Sequence, residues 1–163
     1  MRTFLFAFSK IGEPGGSTRG CALRQLLVGV DSKPMPVSRT PAETITAYFA
    51  AIRAQDREAW VACFSHDGVS IDPFGAPPNR GPAALRAFFD GFLAMVSKLS
   101  LVEDLPYVCG SRAAVRWVGR GVGKTNGKPF VFHGIDVFTF DAAGAITEVT
   151  AFWDSAALFV QLA

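Results

Sequence analysis

The sequence predicts an α+β fold in which helices pack against one face of an antiparallel β-sheet. Helix-like segments dominate residues 40–95, and four strand-like segments follow, near residues 99–109, 112–122, 129–140 and 145–154. Helices followed by a run of strands are typical of this class. The chain has 163 residues, 50% of them hydrophobic, which is enough for one domain with a sizeable core. A strongly curved sheet folded over three helices would enclose a pocket.

The first helix is predicted from a capping signal and a helical pattern of apolar residues. Thr40 and Glu43 have the spacing of a capping box, and Pro41 stands at the first helical position. We expect the helix to end near Ala54. Its apolar face is formed by Ile45, Tyr48, Phe49 and Ile52.

Caps, prolines and glycines bound the remaining elements. Asp56 is placed to cap a second, short helix, and a short strand over residues 69–72 ends at Pro73. A third helix opens at Gly81 and Pro82. The apolar residues of this helix are Leu85, Phe88, Phe89, Phe92 and Met95. Hairpin turns are expected at residues 124–128 and 141–144.

Residues 1–38 differ in composition from the rest of the chain and are predicted to be a disordered N-terminal extension. The folded domain is expected to span residues 39–163. The first 40 residues carry six Lys/Arg and two acids, a net charge of +4. Residues 41–163 carry ten Lys/Arg and twelve acids, a net charge of −2. Because the basic character belongs to the extension, we expect no nucleic-acid partner for the folded domain.

The cysteines and the hydropathy pattern indicate the cellular compartment in which the protein is expected. Cys21, Cys63 and Cys109 are far apart and odd in number, which is typical of reduced thiols and predicts a cytoplasmic protein. No apolar stretch approaches the length of a membrane span, so no membrane partner is expected.

One carboxyl group lies among phenylalanines in the strand near residues 129–140. Side chains alternate between faces along a strand, so Asp136 shares a face with Phe130, Phe132, Gly134, Phe138 and Phe140. On the wall of an apolar cavity the Asp136 carboxyl would stay protonated and could donate a hydrogen bond to a developing oxyanion. Alternatively, a bulge at Gly134 would turn Asp136 toward water at the strand end. The strand alone leaves both readings open.

A longer pattern resembles a known family. The run from Tyr48 to Gly81, followed by the segments L-R-A-F-F and I-D-V-F, is similar to bacterial Δ5-3-ketosteroid isomerases. These enzymes share a cone-shaped fold with nuclear transport factor 2 and the SnoaL-like polyketide cyclases. The resemblance covers roughly residues 42–158. It implies a cone-shaped, curved antiparallel sheet wrapped over three N-terminal helices, with an apolar pocket inside.

The resemblance also implies the catalytic groups of a steroid Δ-isomerase. Asp72, followed by proline at the end of the first strand, corresponds to the general base. Tyr48 and a protonated Asp136 correspond to the two donors of an oxyanion hole. These groups would move a C=C bond into conjugation with a ketone, with no metal and no organic cofactor.

An apolar carbonyl compound is the substrate class that this resemblance implies. The residues expected to hold it are Phe88, Phe92, Phe132, Phe138 and Trp153. In some family members further tyrosines support the catalytic tyrosine, whereas Phe89 stands at the neighbouring position here.

Two other functions stay open at this stage. The chain could be another enzyme of this fold, such as a polyketide cyclase or dehydratase that uses Asp72 as its base, or a non-catalytic module that binds an apolar ligand. A homodimer is expected in each case, because members of this fold commonly pair through the outer face of the sheet. Val131, Ile135 and Val137 supply apolar side chains there.

Overall fold

The computed structural model of the chain describes residues 38–163. The first half contains helices α1 Pro41–Ala54, α2 Arg57–Val61 and α3 Gly81–Met95, with strands β1 Phe64–Ile71 and β2 Asn79–Arg80 between α2 and α3. The second half contains strands β3 Val96–Glu103, β4 Tyr107–Cys109, β5 Arg112–Gly123, β6 Pro129–Phe140 and β7 Ile146–Trp153, followed by helix α4 Ser155–Leu162. The predicted disordered extension lies outside the described residues, apart from its last residue.

The strands form one curved sheet in the order β2-β1-β7-β6-β5-β3, with β4 paired to β5. The apolar core lies between the helices and the inner face of this sheet. The predicted α+β cone is therefore confirmed, with one correction. Strand β1 runs parallel to β7 and all other pairs are antiparallel, so the sheet is mixed.

The predicted capping box of α1 is confirmed. The Thr40 hydroxyl accepts a hydrogen bond from the Glu43 backbone N–H, and the Glu43 carboxylate accepts one from the Thr40 backbone N–H. Asp56 caps α2 in a similar way, because its carboxylate accepts from the Ala59 backbone N–H. These caps fix where α1 and α2 begin.

Alternation along β6 separates an inner face from an outer one. Residues with even numbers from Phe130 to Phe140 are buried, including Asp136. Val131, Ile135 and Val137 on the outer face are between 37% and 46% exposed. The sequence pattern thus predicted correctly which side chains share the buried face.

Two features of the C-terminal half were not predicted. The segment expected as one strand over residues 99–109 begins at Val96 and is interrupted between β3 and β4. The helix α4 follows the last strand; Asp154 caps it, and its Gln161 side chain hydrogen-bonds the backbone N–H and C=O of Val131. That side chain covers the part of β6 that extends beyond β7. Among residues 38–163, no helix is long and apolar enough to cross a membrane.

Candidate active site

A narrow cavity opens between α1, α2, α3 and the inner face of the sheet. Its free volume is about 50 Å³, room for a few water molecules, so a four-ring ligand would enter only if lining rings move. Three of the side chains that line it can donate or accept a proton: Tyr48, Asp72 and Asp136. The other lining residues are Ile52, Trp60, Phe88, Phe89, Phe92, Leu93, Leu99, Leu101, Trp117, Phe132 and Trp153.

Tyr48 reaches the cavity from the buried face of α1. Only 3% of the residue is exposed, and its ring makes an edge contact with Phe138 at 5.3 Å between centroids. Burial raises the pKa of Tyr48 well above its usual value, and the nearby carboxyl groups of Asp136 and Asp72 raise it further. The phenol therefore stays protonated at neutral pH and can act as a hydrogen-bond donor.

Asp72 follows directly after β1 and meets a tryptophan from the end of β7. The Trp153 Nε1–H donates a hydrogen bond to Asp72 Oδ1 at 2.6 Å. Burial raises the pKa of Asp72 from 3.8 to about 6, and the indole donor partly opposes that rise. Asp72 is thus ionised in most molecules at pH 7 while its basicity exceeds that of an exposed aspartate, as a general base requires.

Asp136 lies at the middle of β6 with 2% of its surface exposed. It points to the buried face, which decides between the two readings that the strand pattern left open. Burial raises the pKa of Asp136 well above its usual value, the Asp72 charge adds to this, and a hydrogen bond from Trp117 opposes it. Burial and the Asp72 charge thus favour the protonated form of this carboxyl group.

Trp117 is a residue of the site that the sequence reasoning missed. It lies on β5, and its Nε1–H donates to Asp136 Oδ1 at 2.7 Å. Its register partner on β6 is Gly134, and a Cβ on this glycine would lie 2.2 Å from Trp117 Cζ2. The glycine is needed because the indole passes across the backbone there. Counting pairs back from the predicted turn at residues 124–128 would have placed Trp117 opposite Ile135, one residue away from its true partner Gly134.

Four of the five aromatic residues that were expected to hold a substrate line the cavity. Phe88, Phe92, Phe132 and Trp153 line the cavity. Phe138 does not, and this expectation needs correction. Its ring is fully buried and contacts the rings of Tyr48 and Phe140. Phe138 stands two residues farther along the inner face of β6 than Asp136, which places it in the core behind Tyr48.

Trp60 is a second residue whose place the sequence did not reveal. It is 1% exposed, lines the cavity, and packs against Tyr48 with ring centroids 5.7 Å apart. Its Nε1 makes no direct hydrogen bond within the described part of the chain. All three tryptophans of the protein therefore lie at this cavity. In residues 38–163, no three His, Cys, Asp or Glu side chains come together as metal ligands.

Comparison with known proteins gives a family and a fold. Residues 45–149 match the SnoaL-like domain family. A steroid Delta-isomerase of Nocardioides simplex is 33% identical over 109 residues, which cover 67% of this chain and 85% of that protein.

Solved structures agree in fold. A hypothetical protein with a ketosteroid isomerase-like fold from Catenulispora acidiphila DSM 44928 superposes with a TM-score of 0.68, at 20% identity over 76% of this chain and 93% of that one. SalBIII, an epoxide hydrolase/cyclase-like enzyme with a role in pyran ring formation in the polyether salinomycin, gives a TM-score of 0.65 at 22% identity, covering 71% of this chain and 92% of its own. A steroid isomerase is thus among the sequence relatives of this chain, and a cyclase-like enzyme is among the proteins that share its fold.

Proposed function

Because this chain belongs to the SnoaL-like domain family, we propose that it is an isomerase which moves a C=C bond into conjugation with a ketone. One observation supports this most directly. Asp72 and Asp136 line the same cavity, and burial raises the pKa of both carboxyl groups, that of Asp72 to about 6 and that of Asp136, which also lies near the Asp72 charge, well above its usual value. Two neighbouring carboxyl groups in different surroundings are what acid and base roles in one reaction require.

The reaction divides into two proton transfers. The Asp72 carboxylate takes a proton from the carbon α to the carbonyl group, and the electron pair moves through that carbon to make the carbonyl oxygen an oxyanion. The protonated Asp72 then returns the proton to the γ carbon, and the electrons re-form the carbonyl group. Nothing is gained or lost overall, so the product is an isomer of the substrate.

Tyr48 and Asp136 would stabilise the dienolate between the two transfers. Both are buried donors, so their hydrogen bonds to the oxyanion form in a medium from which water is excluded and are worth more than in water. The rings of Phe88, Phe92 and Trp153 would hold a flat apolar substrate between them.

The direct test is isomerisation of a 5-ene-3-ketosteroid, together with a smaller β,γ-unsaturated cyclic ketone because the cavity is narrow. The appearance of the conjugated enone is followed by its absorbance. We expect turnover by the wild type and a loss of at least about a hundredfold in Asp72→Asn, since a positioned base contributes about a hundred- to ten-thousandfold. Asp67→Asn, which changes an exposed acid on β1, should match the wild type. The proposal is wrong if neither ketone is converted, or if Asp72→Asn and Asp67→Asn behave alike.

A second candidate is a cyclase or dehydratase that uses Asp72 as base on another ligand. The observation in its favour is that Phe89 lines the cavity and offers Tyr48 no hydroxyl support. A wild type that binds enolate-like phenols but leaves both ketones unchanged would favour this candidate, or a non-catalytic binder of apolar ligands, over the isomerase.

A further inference from the structure

The hydrogen bond between Trp117 and Asp136 is buried at both ends. Each residue is 2% exposed, and the 2.7 Å bond joins Trp117 Nε1 to Asp136 Oδ1 across neighbouring strands. The indole N–H can only donate, so Oδ1 must act as the acceptor. The other oxygen, Oδ2, makes no hydrogen bond within residues 38–163, and Asp136 lines the cavity.

We propose that Trp117 is a positioning residue that decides which oxygen of Asp136 carries the acid proton. A neutral carboxyl group has one carbonyl oxygen and one hydroxyl oxygen, and the carbonyl oxygen is the better acceptor. The bond from Trp117 therefore makes Oδ1 the carbonyl oxygen and places the proton on Oδ2, which is left free to donate to a ligand in the cavity. This inference rests on the proposed function, in which Asp136 acts as a donor.

The indole can hold this orientation because it is itself fixed. It passes across Gly134 on the neighbouring strand, where no side chain separates it from the backbone. Its other side meets Phe132, with ring centroids 5.0 Å apart at 73°. These two contacts fix the indole ring so that its Nε1–H points toward Asp136.

The proposal can be separated from a simple effect on charge. A donor to a carboxyl group favours the ionised form, so removing the indole should leave Asp136 at least as fully protonated as before. If Trp117 mattered only for the protonation of Asp136, its loss would be harmless or beneficial. If Trp117 aims the proton, its loss weakens ligand binding although the carboxyl stays protonated.

The first experiment reads the carboxyl group directly, without substrate. The infrared difference spectrum between wild type and Asp136→Asn isolates the C=O stretch of protonated Asp136. In Trp117→Phe this band should move to higher wavenumber, because its carbonyl oxygen has lost a hydrogen bond. Trp153→Phe, which removes the indole at Asp72, is the matched control and should leave the band in place. A band that does not move in Trp117→Phe overturns the proposal.

The second experiment measures binding of an equilenin-like phenol by calorimetry. Trp117→Phe should weaken binding about tenfold, less than the hundredfold or more expected from losing an oxyanion donor outright. The same substitution in an Asp136→Leu background should change the affinity little, because Trp117 then has no carboxyl group to aim. An equal loss in both backgrounds would mean that Trp117 acts through packing, and the proposal would be wrong.

Folding and the proposed function are controlled separately. Melting temperatures report whether Trp117→Phe is folded; if it is not, a benzothiophene analogue of tryptophan at position 117 keeps the ring shape without the N–H and replaces it in both experiments. A shifted infrared band with no ketone turnover would refute the isomerase and leave the positioning role intact. Absence of a protonated Asp136 band in the wild type would refute both.

Discussion

Replacing Trp153 with phenylalanine should raise the pKa of Asp72 and so narrow the pH range in which the base is ionised. The Trp153 Nε1–H donates to Asp72 Oδ1 at 2.6 Å, and this donor stabilises the charged carboxylate. Phenylalanine keeps an aromatic ring beside Phe132, whose centroid lies 5.3 Å from that of Trp153, but it has no N–H. The substitution therefore removes the hydrogen bond with little change in packing.

The size of the shift follows from the strength of the bond. A hydrogen bond to a charged group contributes about 1.5–3 kcal/mol net, and 1.36 kcal/mol corresponds to about one pKa unit. The pKa of Asp72, about 6 in the wild type, should thus rise to about 7–8. At pH 7 the ionised fraction would fall from about nine-tenths to between about one-half and one-tenth.

Two measurements check this shift. The first is a ¹³C NMR titration of the Asp72 carboxyl, which needs no substrate. The second is the pH profile of kcat/KM, in which activity is present above the pKa of the base and is lost as the pH falls through it; this limb should move upward in Trp153→Phe. Trp117→Phe removes the equivalent donor from Asp136 and should leave the limb unchanged. The same Asp72 pKa in wild type and Trp153→Phe would refute the reasoning.

Three other perturbations test the site and the outer face. Asp72→Asn should stabilise the fold by up to about 3 kcal/mol above pH 6 and by almost nothing near pH 4. The reason is that folding raises the pKa of Asp72 from 3.8 to about 6, so ionisation of this carboxyl group costs stability as the pH rises through that window. Urea unfolding at pH 4 and pH 8 measures the gain in the free energy of unfolding, and an equal gain at both pH values would contradict the prediction. Gly134→Ala should displace the Trp117 indole and weaken phenol binding, whereas Gly121→Ala, whose Cβ would meet the Phe130 ring at 2.6 Å, should lower the melting temperature without that loss. We expect a homodimer through the outer face of the sheet, so that Ile135→Lys gives a monomer in light scattering; a monomeric wild type at micromolar concentration would exclude this.

Local sequence signals were enough for much of the fold. The capping box at Thr40 placed α1, because a cap depends on residues three positions apart. Alternation along β6 gave its buried face, because successive side chains on a strand must point to opposite sides. The hairpin turn expected at residues 124–128 separates β5 from β6, but it did not give their register: a turn with those bounds would pair Trp117 with Ile135, whereas the structure pairs it with Gly134.

Local sequence signals did not indicate whether a side chain on the inner face lines the cavity or lies deeper in the core. Phe132, Asp136 and Phe138 share one face of β6, yet Phe132 and Asp136 line the cavity and Phe138 is buried below Tyr48. Alternation assigns a side chain to a face, whereas its distance from the cavity depends on how the helices pack over the curved sheet.

The partner of Asp72 depended on tertiary structure for a similar reason. Trp153 is 81 positions away in the sequence and reaches Asp72 because β1 and β7 pair in parallel. Parallel strands are not joined by a hairpin that fixes their register, so no local sequence signal predicts how they pair. The residue types of the site could be read along the chain, but the burial of each carboxyl group, which raises its pKa, and its pairing with an indole donor were decided by the folded sheet.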